Sequence, residues 1–316
     1  MKIGLKSLRK FGGYICAALL LCSLILMNPA SALSSIEAKG NVAAEQSGSM
    51  NNGVYVARNL RTGEITVTEP QARARQKASE LKPHIPEGLE IAQPSKNIIG
   101  EDNRIEVTNV DAFPNSAVVY LEIEYQDGEK ASGSGAFVGD TMILTAGHNV
   151  YNPEHGWAKS ITAKPGGSAS SFETASAVSV ASTFGWVDDS DKLTTYEYGL
   201  IEVDKCLNAG VFGLASLTDE TLSNAVLMHL GYSGDKPEGT LWSSHGVAGK
   251  MTAEWFKHTM DTTEGNSGGP IMQQTELSFI VGVHYGNIVG DNDYNIAARV
   301  NQRMIDFVTT YLPPAE

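Results

Sequence analysis

The chain has 316 residues and a formal net charge of −13, from 36 Asp and Glu against 23 Lys and Arg. Such an acidic protein is a poor partner for nucleic acid or an anionic membrane, which both repel it. The length allows one to three domains, and three cysteines in 316 residues are too few for a disulfide-framed scaffold.

In chain order, Lys2, Lys6, Arg9 and Lys10 come first, then an apolar run from Tyr14 to Met27, then Ala30-Ser31-Ala32. A basic start, a short apolar run and a small-residue cleavage site predict a secretory signal peptide over 1–32. Leu19-Leu20-Leu21-Cys22 lacks the small residues of a lipoprotein signal, and no second apolar stretch reaches spanning length. The mature form is therefore expected outside the cell and off the membrane. Cys16 and Cys22 leave with the signal, so Cys206 remains alone, expected to be buried and without an intramolecular disulfide.

Residues 33–97 are polar, with one short helical stretch at Gln71–Leu81 followed by Pro83, Pro86 and Pro94, and predict a pro-segment rather than an independent domain. Residues 1–96 carry +5 and the remainder −18, so a basic leader faces an acidic body. From residue 98 the texture changes to short apolar or alternating runs bounded by Gly, Asn, Asp or Pro. Examples are Ala117–Tyr125, Gly135–Val138, Met142–Ala146, Ala177–Val180, Gly199–Val203, Ala225–Gly231, Gly246–Ala248, Pro270–Met272 and Phe279–Val283. Met304–Tyr311 reads as a short terminal helix. This predicts an all-β domain over 98–316, built as two packed antiparallel barrels at about 98–210 and 211–316.

Two segments carry chemistry. Thr145-Ala146-Gly147-His148 lies in the first half, and Glu264-Gly265-Asn266-Ser267-Gly268-Gly269-Pro270 in the second. A serine hydroxyl is a weak nucleophile until a base takes its proton, and histidine is the usual base. The flanking glycines allow a tight turn that aims backbone N–H groups at a developing oxyanion. Gly-x-Ser-x-Gly also fits the elbow of α/β-hydrolases, but too few residues follow Ser267 for the rest of that fold.

These residues resemble the chymotrypsin-fold serine peptidases, whose domain is two six-stranded barrels, and more narrowly the bacterial glutamyl endopeptidases of the staphylococcal and Bacillus type. Ile98-Ile99-Gly100-Glu101-Asp102-Asn103-Arg104 is similar to that family's mature N-terminus, Gly231-Tyr232-Ser233-Gly234-Asp235-Lys236-Pro237 to a loop of the family, and Val281-Gly282-Val283-His284-Tyr285-Gly286 to its pocket strand. The resemblance implies His148 as general base, Ser267 as nucleophile, and the N–H groups of Gly265 and Ser267 as oxyanion hole. It places Glu197 where the family has Asp before a short strand. An acid among Asp188, Asp189 and Asp191, or a defective triad, remains the alternative.

Thr262 and His284 match the pocket residues for an acidic P1 side chain, Glu before Asp. The family also uses its new N-terminal amine in this pocket, which here means processing near Lys96-Asn97-Ile98 by a second, activating protease. Asn266 stands where trypsin-like zymogens carry the Asp that pairs with the new terminus. Asp261 points the other way, since trypsin-like enzymes place an acid there to bind Arg or Lys. The resemblance thus implies a secreted, monomeric bacterial enzyme acting on proteins and peptides without cofactor or metal. A trypsin-like preference and a catalytically impaired binding or toxin-like homologue are the competing readings. His155, His229, His245 and His258 show no ligand spacing and read as surface or packing residues.

Overall fold

A computed structural model describes residues 53–68, 82–83, 102–188, 196–287 and 294–312. The signal peptide, the helical stretch at 71–81, the segment 98–101, Asp189 and Asp191 lie outside the described residues.

Among the described residues, the strands are β1 (Tyr55–Asn59), β2 (Ile65–Thr68), β3 (Ile105–Glu106), β4 (Val118–Tyr125), β5 (Lys130–Gly139), β6 (Met142–Thr145), β7 (Tyr151–Asn152), β8 (Gly156–Pro165), β9 (Ala175–Thr183), β10 (Gly199–Val203), β11 (Gly213–Leu214), β12 (Val226–Tyr232), β13 (Leu241–Met251), β14 (Trp255–His258), β15 (Pro270–Gln273), β16 (Glu276–Asn287) and β17 (Asn295–Arg299). The helices are α1 (Gly147–Val150), α2 (Phe184–Asp188), α3 (Asp219–Asn224) and α4 (Gln302–Tyr311).

Two closed six-stranded antiparallel barrels result. The first runs β9-β10-β6-β5-β4-β8 and closes through β8–β9; the second runs β16-β15-β12-β13-β14-β17 and closes through β16–β17. Closure removes the long free edges that an open sheet would present. In β4 the buried positions Val119, Leu121, Ile123 and Tyr125 alternate with more accessible ones, as expected for one face on a core. β6 is buried throughout, because it sits between β5 and β10.

The ends of the chain cross between barrels. β3 pairs with β13 of the second barrel, while α4 lays Phe307 against Tyr198 of the first, ring centroids 5.3 Å apart. The side chain of Asn301 caps α4 by accepting from Met304 N at 3.1 Å, and Met304, Ile305, Phe307 and Val308 form its buried face. β1 and β2 form a hairpin from the stretch expected to be a pro-segment, and β1 pairs along β9. Cys206 differs from expectation. It is exposed, in the turn after β10, with its Sγ 3.5 Å from Asn208 Oδ1. Here Asn208 takes a left-handed φ of 54°, and the resulting turn holds the thiol away from the core.

Candidate active site

His148 sits in α1, the single turn that follows β6, and Ser267 in the glycine turn that precedes β15. Polar contacts tie these two segments together across the barrels. Asn149, next to His148, donates from Nδ2 to the carbonyl of Ser267 at 2.9 Å and to Thr145 Oγ1 at 2.9 Å. Ser134 N donates to the same Ser267 carbonyl at 2.8 Å, and Thr145 Oγ1 donates to the carbonyl of Ser134. Gly268 lies so close to this lattice that a Cβ there would come within 2.0 Å of the Ser134 carbonyl oxygen and 2.2 Å of Thr145 Oγ1, and its φ is +91°. Only glycine satisfies both conditions. Gly268→Ala is expected to cost about 2–5 kcal/mol of stability, from left-handed strain and overpacking together. Urea unfolding at neutral pH measures this; an Ala variant as stable as the parent would disprove it.

Glu197 precedes β10, which pairs with both β6 and β9. Its carboxylate is buried, and Oε1 accepts from His148 Nδ1 at 2.7 Å and from His148 N at 2.9 Å. Oε2 is buried without a hydrogen-bond partner among the described residues. One carboxylate oxygen thus fixes both the ring and the backbone of His148, and selects the tautomer with its proton on Nδ1. Burial lowers the affinity of His148 for a proton, but the charge and hydrogen bond of Glu197 outweigh it, and the pKa is raised above the ordinary imidazole value. Tyr125 Oη adds a 2.8 Å bond to the carbonyl of His148. Asp188 ends α2, so this alternative acid does not take the carboxylate place beside Nδ1, which Glu197 fills.

Gly265 has φ +86°, and a Cβ there would meet the Tyr232 carbonyl oxygen at 2.5 Å. Its own carbonyl accepts from Ser134 Oγ at 2.7 Å, and Ser134 Oγ in turn accepts from Tyr232 N at 2.9 Å. The Gly231–Pro237 loop therefore braces the turn that carries Ser267. Among the described residues the N–H groups of Gly265 and Ser267 have no protein acceptor, which leaves two donors for a substrate oxygen. Ser267 Oγ makes a 3.4 Å bond to the carbonyl of Tyr285, and no hydrogen bond joins it to His148 Nε2.

His284 lies on β16 and is buried, with Nδ1 3.1 Å from His258 Nε2. His229 packs edge-on against His284 at a centroid distance of 5.3 Å. In sequence, His229 and His258 show no ligand spacing and read as surface or packing residues. They sit on β12 and β14, and nothing local connects them to β16; barrel closure brings them together. Burial holds the pKa of His229 and His258 down to about 3 and that of His284 well below 6.5, so all three rings are neutral at ordinary pH.

Thr262 is half-buried. It follows Met260, whose carbonyl accepts from Asn295 Nδ2 on β17 at 2.8 Å, and β17 neighbours the strand of His284. The carboxylate of Asp261 accepts from Asn103 N at 2.9 Å, so it is already bonded to the chain. Arg104, beside Asn103, forks onto Asp235 with both terminal nitrogens at 2.7 Å, bonds Asp102 through Nε at 2.9 Å, and reaches Thr263 Oγ1 at 3.3 Å. Residues 102–104 thus run along the loop that carries Asp261, Thr262 and Thr263. Asn266 is buried and donates to Ser233 Oγ at 3.0 Å and to the Thr263 carbonyl at 3.1 Å. Its neutral amide needs no terminal ammonium as partner.

Two closed barrels with a histidine–carboxylate pair on one and a glycine-flanked serine on the other have the architecture of a chymotrypsin-fold serine endopeptidase. A family model described as Trypsin matches residues 106–308, and the chain belongs to that family. It is 28% identical over 266 residues to a glutamyl endopeptidase of Bacillus licheniformis, covering 81% of this chain and 78% of that one. It is 33% identical over 224 residues to a protein of Bacillus subtilis named extracellular metalloprotease, covering 67% and 68%. The solved structure of a Glu endopeptidase in complex with MPD shares the fold at a TM-score of 0.60 and 23% identity, covering 68% of this chain and 98% of that one.

Proposed function

We propose that the protein is a secreted serine endopeptidase, made as a proenzyme, that cleaves after Glu and more weakly after Asp. The observation that carries this reading is the 2.7 Å bond between His148 Nδ1 and a buried Glu197, set beside the Gly265–Gly269 turn. Glu197 serves as the triad acid with one methylene more than Asp. The Ser267 hydroxyl turns from the Tyr285 carbonyl to His148 Nε2, loses its proton there as it attacks the scissile carbonyl, and the imidazolium then protonates the leaving amine. The Gly265 and Ser267 amides receive the oxyanion. Apo geometry with a long nucleophile contact is compatible with this, since such bonds tighten on substrate binding.

For the P1 side chain, His284 and Thr262 supply neutral donors to a carboxylate. The engagement of Asp261 by Asn103 N supports this reading over an Arg or Lys preference. The names of the Bacillus licheniformis and Staphylococcus aureus relatives, all glutamyl endopeptidases, point the same way. The name of the Bacillus subtilis relative raises metal dependence, although among the described residues no group of three His, Cys, Asp or Glu could hold an ion.

One experiment separates these readings. The processed protein is incubated with a fluorophosphonate probe, with a chelator, and with peptides that differ only at P1. Labelling at Ser267, resistance to chelator, and kcat/KM at Glu at least about tenfold above Asp and above Arg are expected. That ratio needs only about 1.4 kcal/mol of differential binding. Turnover after Arg or Lys alone would reverse the specificity. An unlabelled, inert protein would favour the impaired homologue, and loss of turnover with chelator would favour the metal-dependent reading.

A further inference from the structure

The hairpin β1–β2 lies outside the family match, which begins at residue 106, yet it is built into the first barrel. The seam of that barrel is incomplete. β8 pairs with β9 only at Ala175 and Ser176, and along the same edge Ser179–Thr183 pairs with β1, from Asn59↔Ser179 to Tyr55↔Thr183. Leu60 N to the Val178 carbonyl at 3.0 Å and Phe184 N to the Val54 carbonyl at 2.9 Å extend the ladder beyond both ends.

The side chains seal what the ladder closes. Tyr55, Val56 and Ala57 are all buried. The Tyr55 ring lies 4.9 Å from Phe307 and 6.3 Å from Tyr311 of α4, and Phe307 rests on Tyr198. Removing the hairpin would uncover a strand edge and an aromatic cluster together, a combination that invites aggregation. The hairpin also holds its own shape. Asn59 Oδ1 accepts from Arg61 N and Thr62 N at 2.9 Å each, and Gly63 closes the turn at φ +72°. Its outer strand is open to solvent, with Val67 43% exposed.

We infer that residues 53–68 remain docked on β9 and α4 after the chain is cut within 69–101, so that the working enzyme consists of two chains held without a covalent link. The hairpin is then a lasting strand of the first barrel, although the segment around it is processed. The inference rests on the proposed processing only for where the natural cut falls.

The test does not need that cut or any activity. A recognition site for a sequence-specific protease is placed after Glu90 in the full-length chain carrying Ser267→Ala, the chain is cut, and the product is run on a native sizing column and then weighed under denaturing conditions. Retention is expected, with a fragment containing 53–68 co-eluting at one copy per body. Val56→Asp should release it with at least a hundredfold weaker association, whereas Val67→Asp at the exposed position should not. Separation of the fragment from the unsubstituted cut protein would overturn the inference, whether or not the variants fold. Retention unaffected by Val56→Asp would overturn the docking mode. In the naturally processed enzyme, denaturing mass analysis should find the same fragment; a single chain starting near residue 98 would overturn retention there. An enzyme secreted without any cut would count against the processing reading instead.

Discussion

Glu197→Gln is expected to lower kcat/KM by about 10³–10⁴, a loss of about 4–5.5 kcal/mol of transition-state stabilisation. The amide keeps the volume of the carboxylate but presents either a donor or a neutral acceptor to His148. Oε1 now accepts from both His148 N and His148 Nδ1; a carbonyl oxygen can keep those bonds yet cannot stabilise the imidazolium, and a flipped amide forces the wrong tautomer. The pH profile gives a second readout. In the parent the raised pKa of His148 leaves the base protonated at low pH, so the acidic limb of kcat/KM should lie above the ordinary imidazole value of about 6.5. Without the charge of Glu197 only the lowering effect of burial remains, and the limb should move to lower pH. Steady-state kinetics from pH 5 to 9 on both proteins would decide it. A Gln variant within tenfold of the parent would show that another acid does the work.

Acid should unfold this protein early, because His229, His258 and His284 are held neutral. In the unfolded chain each titrates near 6.5, and in the fold their pKa values are about 3, about 3 and well below 6.5. Below pH 6.5 the unfolded state binds protons that the native state refuses, so stability falls as pH falls, by up to about 1.4 kcal/mol per pH unit for each ring. His229 and His258 alone remove about 4–5 kcal/mol between pH 6.5 and 4.5, a large share of the stability of a typical domain, and His284 acts in the same direction. His148 has the opposite sign. Its raised value adds stability that is fully present below 6.5, so it does not offset the loss in this window. Asp102 and Asp235, held low mainly by Arg104, lose their contribution only at lower pH. Urea unfolding at pH 7, 5.5 and 4.5 should show the decline, and His258→Gln should flatten its slope by about 1.4 kcal/mol per pH unit. Stability unchanged across that range would refute the account.

Much of the domain is legible in local pattern. Val118–Tyr125 alternates, Met142–Thr145 is continuously apolar, and both become the strands their texture indicates. Trp255–His258 and Asn295–Arg299 carry no clear strand signal in sequence, because each is short and mixes polar with apolar side chains. They are strands through their pairing with each other, at Trp255↔Ala298 and Phe256↔Ala297. Tyr55–Asn59 was hidden for the same reason inside a polar leader. Cys206 shows the opposite case. Thiols are usually buried, but the turn after β10 exposes this one.

Chemistry that depends on neighbours in the chain was readable from the residues themselves. The glycines around Ser267 are demanded by backbone angles and close approach, and the short strand after Glu197 places its carboxylate in register. The gathering of three histidines, the bonding of Asp261 to Asn103 and the seating of the β1–β2 hairpin on β9 depend on residues far apart in sequence. The tertiary structure decides those contacts, since a strand's partners are set by the shape and register of the whole sheet rather than by its own side chains.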